Sequence, residues 1–184
     1  MKCTNIYQTL ENRGNDIEIE EHGPFFCSER YSDGCFKKGI REPGLGAGYY
    51  FWDSRIEDAK WWGENAYNKK GYVVCHTTYD QHTSLLYDLV GDMDAIDDFV
   101  NCAHLIKQKT GLRKVSFPFV LAYMKKMPSF DYKAIRVWPY QQNVKETGIH
   151  FPSSKMVLGI TNKIQICFFD KTLLIHPFKI IYKK

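Results

Sequence analysis

The chain has 184 residues, of which 44% are hydrophobic and 15% aromatic, enough for one domain with a buried core and too apolar for a disordered tail. Its longest apolar stretch, Phe117 to Met124, contains Pro118 and falls far short of the ~20 residues needed to cross a bilayer, so no membrane span is expected. The 25 Lys and Arg against 21 Asp and Glu give a net charge of +4, scattered in small clusters such as Lys37-Lys38, Lys69-Lys70, Lys125-Lys126 and Lys183-Lys184; solvated lysines explain this as well as an anionic ligand does.

The N-terminus opens directly into a strand-like run, without the charged start and apolar block of a secretory signal, which places the chain in the cytoplasm as an expectation. The six cysteines are accordingly read as reduced, with Cys75 and Cys167 inside apolar runs where a thiol packs as a small hydrophobe. There is no CxxC and no histidine pair at helical ligand spacing, so no metal site is expected.

Residues 3–9 read as a first strand, followed by the turn-rich Glu11-Asn12-Arg13-Gly14-Asn15. Residues 20–48 carry eight Gly or Pro residues, from Gly23-Pro24 to Gly48, and are expected to form a long, structured, functional loop. Tyr49-Tyr50-Phe51-Trp52 is an aromatic strand. Ser54-x-x-Glu57 matches a capping box, which predicts a helix over residues 54–67. At about 100° per residue Ile56, Ala59, Gly63 and Ala66 form its buried stripe, with Trp62 at the margin and Trp61 aimed away from the core side.

Strands are predicted at Gly71–Thr78 and Ser84–Leu89, then a helix over residues 92–109 with Met93, Ile96, Phe99, Val100, Ala103 and Ile106 as its apolar stripe. Its aspartates crowd the first turns and its lysines the last, as a helix dipole favours. A third helix is predicted near residues 115–126, with Pro118 in its first turn. Strands follow near residues 132–138, 163–170 and 178–182, with irregular chain between 139 and 162. The class is α+β, residues 1–184 forming a single domain without repeat or linker.

Standard catalytic motifs are absent. Gly44-x-Gly46-x-Gly48 precedes a strand instead of a helix and lacks the spacing of a dinucleotide fingerprint, and Cys75 and His76 point to opposite faces of a strand. What remains is Gly46-Ala47-Gly48-Tyr49-Tyr50-Phe51-Trp52-Asp53 and the helix bearing Ala59 and Trp61. Glycines before a strand permit a ligand to approach the backbone, and two aromatics on adjoining elements can clamp a flat ring. A turn followed by a core aromatic strand accounts for the same residues.

Gly46, Gly48, Tyr50, Phe51, Asp53, Ala59 and Trp61 match in order the tyrosine motif of the ADP-ribosyltransferase superfamily, and over residues 46–63 the block resembles its poly(ADP-ribose) polymerase-like, diphtheria-toxin-like branch. The resemblance implies a split β-sheet core with flanking helices, and NAD as the substrate. It implies that Tyr50 and Trp61 grip the nicotinamide ring, with Gln8, Thr9 and Gly48 completing the NAD-binding set. Gln8 stands where the family carries a ribose-holding His or Arg, and Gln165 where it carries a glutamate that stabilises the oxocarbenium-like ribose; a neutral amide supplies no such charge. Glu146 is the nearest carboxylate to substitute, so Gln165, Glu146 and Gln8 are the catalytic candidates. The implied activity is cleavage of the nicotinamide–ribose bond and transfer of ADP-ribose to a macromolecule, either protein or nucleic acid. Two alternatives stand beside it: an NAD- or ADP-ribose-binding sensor of the same fold without turnover, and a protein-interaction module.

Overall fold

The computed structural model describes residues 3–30, 35, 37, 43–139, 148–150, 157–159 and 163–184. In chain order the elements are β1 (Cys3–Glu11), α1 (Asp16–His22), β2 (Tyr49–Asp53), α2 (Ile56–Tyr67), β3 (Tyr72–Asp80), β4 (Leu86–Leu89), α3 (Met93–Thr110), α4 (Phe117–Met124), β5 (Ala134–Val137), β6 (Gly148–His150), β7 (Val157–Gly159), β8 (Gln165–Phe168) and β9 (Leu174–Lys183). The fold is therefore mixed α and β, with an open sheet of seven strands in the order β4-β5-β8-β2-β1-β3-β9 and a separate β6-β7 pair. Within the large sheet β4 and β5 run parallel, and the other ladders are antiparallel. Among the described residues no helix is long and apolar enough to cross a membrane.

Alternation along the strands sorts side chains onto two faces. One face gathers Ile6, Phe51, Val73, Cys75, Tyr79, Ile166 and Phe168 into a core to which Ile19 of α1 contributes. The other carries two clusters. Tyr87, Ile135, Val137 and Cys167 pack with α3 and α4, whereas Trp52, Tyr72 and Val74 pack with Ala59 of α2. The division falls along β2, where Tyr50 packs against the first cluster and Trp52 belongs to the second, beside the junction of β2 with β1. These strands pair only at Ile6 with Asp53 and Tyr7 with Trp52, although β1 pairs with β3 at nine positions and β2 with β8 at four. Beyond Tyr7 and Trp52 the two strands part.

Local chemistry explains most of the boundaries. Asp92 accepts hydrogen bonds from Asp94 N and Ala95 N and so caps α3, and Gly111, at φ 67°, closes its other end by donating to Lys107 O. Pro118 sits in the first turn of α4, where its missing N–H costs nothing. The β9 edge strand accommodates Pro177 because an edge leaves some donors unused.

Several expectations are corrected. The capping box does not form: Ser54 takes φ 62°, its N–H donates to Asn5 O, and its hydroxyl donates to Asp53 Oδ1, so α2 starts at Ile56 after Arg55. In α2, Ala66 is exposed near the end of the helix and Asp58 is buried instead. On α3, Ile106 of the expected stripe is buried and Phe99 and Ala103 pack partly buried against the core, joined by Ala95 and Cys102, whereas Met93 and Val100 face solvent. Helix α1 begins before the expected loop and runs into its first residues; its alternating Asp16-Ile17-Glu18-Ile19 concealed it from a helical reading, and only Ile19 is buried. Within 139–162, expected to be irregular, the described residues include the antiparallel β6-β7 pair.

Candidate functional site

The glycine segment before β2 is held by Tyr50 itself. Its hydroxyl donates to Gly46 O at 2.6 Å and accepts from Leu45 N at 2.8 Å, closing a turn in which Gly46 adopts φ 79°. Burial, first of all, pushes this hydroxyl above the ordinary tyrosine range. Gly48 exchanges backbone hydrogen bonds with Cys27, and a side chain there would run into Cys167 Sγ and Phe168 O. Its close approach is therefore to β8.

Gln8 and Thr9 lie on opposite faces of β1, where it leaves β2. The Gln8 amide is fully engaged: Nε2 donates to Phe25 O at 3.1 Å and to Tyr50 O at 3.3 Å, while Oε1 accepts from Phe25 N at 2.9 Å. It thus bridges the parted strands and ties residue 25 to them. Thr9 Oγ1 donates to Ala59 O at 2.8 Å, fastening α2 over the sheet.

Trp61 stands on the outer side of α2, 37% exposed. Its ring neighbours are Trp52, edge-on at 6.1 Å, and Trp62, tilted at 6.4 Å; Tyr50 is not one of them. Lys163 Nζ lies 4.2 Å from the centre of the Trp61 ring. Gln165, two residues further on, is half-buried and pairs in register with Trp52 on one side and Val137 on the other, so it shares their face. Gln165, Trp52, Trp61 and Lys163 thus form one neighbourhood, while Tyr50 is anchored in the glycine turn. Glu146 lies outside the described residues.

Asp53, the acidic position of the tyrosine block, is buried and salt-bridged: Arg136 Nε donates to its Oδ2 at 2.6 Å and Arg136 Nη1 to both Asp88 oxygens at 3.1 Å. This triad clamps β2, β5 and β4 on the face opposite Trp52. Asp58 is also buried, yet its Oδ2 accepts no hydrogen bond, and Arg55 Nε approaches only to 3.9 Å; desolvation chiefly raises its pKa.

A cavity of about 250 Å³ opens at the end of β1, lined by Leu10, Arg13, Asn15, Ile19, Phe25 and Tyr67 among others. Asn15 Oδ1, in its wall, is buried without a donor, and Arg13 pairs with Glu11 at 3.0 Å. A second cavity of about 230 Å³ touches Gly46 and Ala47 as well as Arg30 and Pro118. Neither is lined by Tyr50 or Trp61. The sequence pointed to the strand and helix of the block; it missed Asn15, Asp58 and Lys163, of which only Lys163, two residues before Gln165, had a positional signal. Among the described residues no group of three His, Cys, Asp or Glu side chains is placed to hold a metal ion.

Compared with protein families, curated proteins and solved structures, the chain matches none.

Proposed function

We propose that this chain is a divergent ADP-ribosyltransferase of split-sheet, diphtheria-toxin-like type, acting in the cytoplasm on NAD and a macromolecular acceptor. The observation that supports it most is the parting of β1 from β2 immediately after Tyr7 and Trp52, with the tyrosine block on one lip and a cavity at the end of the other. In this reading the nicotinamide lies between the tyrosine turn and Trp61, and the remainder of the dinucleotide extends toward the β1 cavity. There Asn15 Oδ1 lacks the kind of donor that a ribose hydroxyl or an adenine amine supplies. The C–N bond between ribose and nicotinamide breaks, its electron pair leaves with nicotinamide, and an acceptor lone pair closes on the ribose carbon while the acceptor proton passes to solvent.

A second reading, a sensor that binds NAD or ADP-ribose without turnover, is favoured by the Gln8 amide, whose hydrogen bonds are all spent on Phe25 and Tyr50, and by the neutral Gln165. One pair of measurements separates the readings: calorimetry with NAD and with ADP-ribose, and nicotinamide release with transfer of label from NAD into a lysate. Release with labelling supports the transferase. Heat without release supports the sensor, and no heat from a folded sample overturns both, leaving an interaction module.

A further inference from the structure

The net positive charge resides in one stretch of chain. Between Phe99 and Phe130 there are six cations, Lys107, Lys109, Arg113, Lys114, Lys125 and Lys126, and no Asp or Glu. The rest of the protein then holds 19 Lys and Arg against 21 Asp and Glu, so it is slightly acidic while the whole chain is +4. The stretch covers the C-terminal half of α3, the connection to α4, α4 itself and the turn after it, and all six cations are exposed.

Lys107 and Lys109 complement the C-terminal end of the α3 dipole. Lys125, the C-cap of α4, and Lys126 beside it stand in the same relation to α4, but that explanation does not extend to Arg113 or Lys114. Among the described residues none of the six forms an ion pair, whereas Lys70, Lys133, Lys183 and Lys184 elsewhere each have a carboxylate partner. Lys125 Nζ instead sits 3.1 Å from the centre of the Phe169 ring. The two helices of this stretch pack together, Phe99 of α3 stacking on Phe117 of α4 at 4.5 Å, and like charges without carboxylate partners on neighbouring elements repel one another, a cost that a polyanion removes.

Helix α4 also exposes aromatic rings. Phe119 and Tyr123 are 46% and 41% exposed and one helical turn apart on α4, so they lie on one side of it, and Lys126 continues that side. Exposed rings flanked along the chain by cations without carboxylate partners suit unstacked bases on a phosphate backbone: the rings supply stacking platforms and the cations follow the phosphates. A duplex offers no free base faces, and an acidic protein has no regular need of exposed rings.

We propose that the α3–α4 face binds single-stranded nucleic acid. The proposal does not depend on NAD, and its test uses none. Anisotropy of a labelled oligothymidylate of about 20 nucleotides is titrated with the full chain over a series of salt concentrations. Binding is expected at low salt and to weaken steeply with salt. Replacing Lys107, Lys109, Arg113 and Lys114 together by Gln is expected to weaken it more than tenfold and to flatten the dependence of log K on log salt by about 0.7 for each phosphate no longer neutralised. Phe119→Ala with Tyr123→Ala is expected to weaken it about tenfold with the salt slope retained. Lys69→Gln with Lys179→Gln, cations outside the face, is expected to change it less than twofold. Thermal melting checks that each variant is folded, as substitution of exposed side chains allows.

No binding at low salt overturns the proposal, as does equal loss in the Lys69/Lys179 control. Duplex binding as tight as single-strand binding, with no effect of the ring substitutions, overturns the single-strand assignment. Capture by phosphatidylserine vesicles but not by the oligonucleotide makes the face a lipid surface and overturns it as well.

Discussion

The side-chain amide of Gln8 reads both backbone groups of Phe25, accepting from its N–H at 2.9 Å and donating to its carbonyl at 3.1 Å. A side chain thereby does what a neighbouring strand would do, at the point where β1 loses β2. Because Gln8 and the Phe25 backbone are sequestered together, truncation leaves polar groups unpaired. Gln8→Ala is expected to destabilise the fold by about 2–3 kcal/mol. Gln8→Glu, which keeps the shape but removes the Nε2–H donors to Phe25 and Tyr50, is expected to cost as much at neutral pH. Urea unfolding of the two variants checks this; an unaltered midpoint in both would show that the Phe25 segment is held by other contacts.

Arg136 joins three strands through two carboxylates, and Asp53 is far more enclosed than Asp88. Removing the guanidinium leaves Asp53 as a buried charge without its cation. Arg136→Leu is therefore expected to cost about 3–5 kcal/mol. Asp53→Asn keeps an oxygen for Arg136 Nε and is expected to cost less, about 1–3 kcal/mol. Denaturation midpoints give both values, and the order of the two is the sharper check.

What the sequence disclosed was local. Aspartates at the start and lysines at the end of residues 92–109 mark α3, found at Met93–Thr110, and the 100° rotation that turns Trp61 away from the α2 core agrees with its exposure. What it concealed depends on distant partners. The glycine at 48 reads as room for a ligand, but the space is taken by Cys167 and Phe168, far along the chain. Ser54 has the spacing of a cap, yet the Asn5 carbonyl, reached through β1, holds it in a left-handed conformation. Gln8 resembles a substrate ligand until Phe25 and Tyr50 are seen to use its amide. The parting of β1 from β2 is a matter of register, which no single segment encodes.

Asp58 carries a pH signature. Desolvation raises its pKa in the folded chain, with Arg55 and Lys163 opposing only in part. A carboxyl whose folded pKa lies above its unfolded value near about 3.9 binds more protons in the native state, so its contribution falls as pH rises through that window and is wholly unfavourable above it. Asp58→Asn is expected to raise stability at neutral pH by about 1 kcal/mol. The gain should vanish on acidification below the unfolded value, where native Asp58 is protonated and close to Asn in shape. Melting temperatures of both proteins across acid pH test the sign. Destabilisation by Asp58→Asn at neutral pH would show that the two cations outweigh burial.

Trp52 and Trp61 meet edge to face at 6.1 Å, but one is 7% exposed and the other 37%. Trp52 packs with Ala59, Tyr72 and Val74 between α2 and the sheet. Its removal leaves a cavity, and Trp52→Ala is expected to cost about 3–5 kcal/mol. Trp61 gives up less surface, and its contact with Lys163 is worth about 0.5–1 kcal/mol at an exposed site, so Trp61→Ala is expected to cost under about 1.5 kcal/mol. If Trp61 meets nicotinamide, that nearly silent substitution lowers NAD affinity more than tenfold, and Trp61→Phe restores most of it by returning a flat face. Calorimetry of NAD binding beside urea unfolding separates the two roles. A large stability loss with unchanged NAD heat would place Trp61 in the core and remove it from the site, whereas lost affinity in a protein of native stability leaves ring stacking as its function.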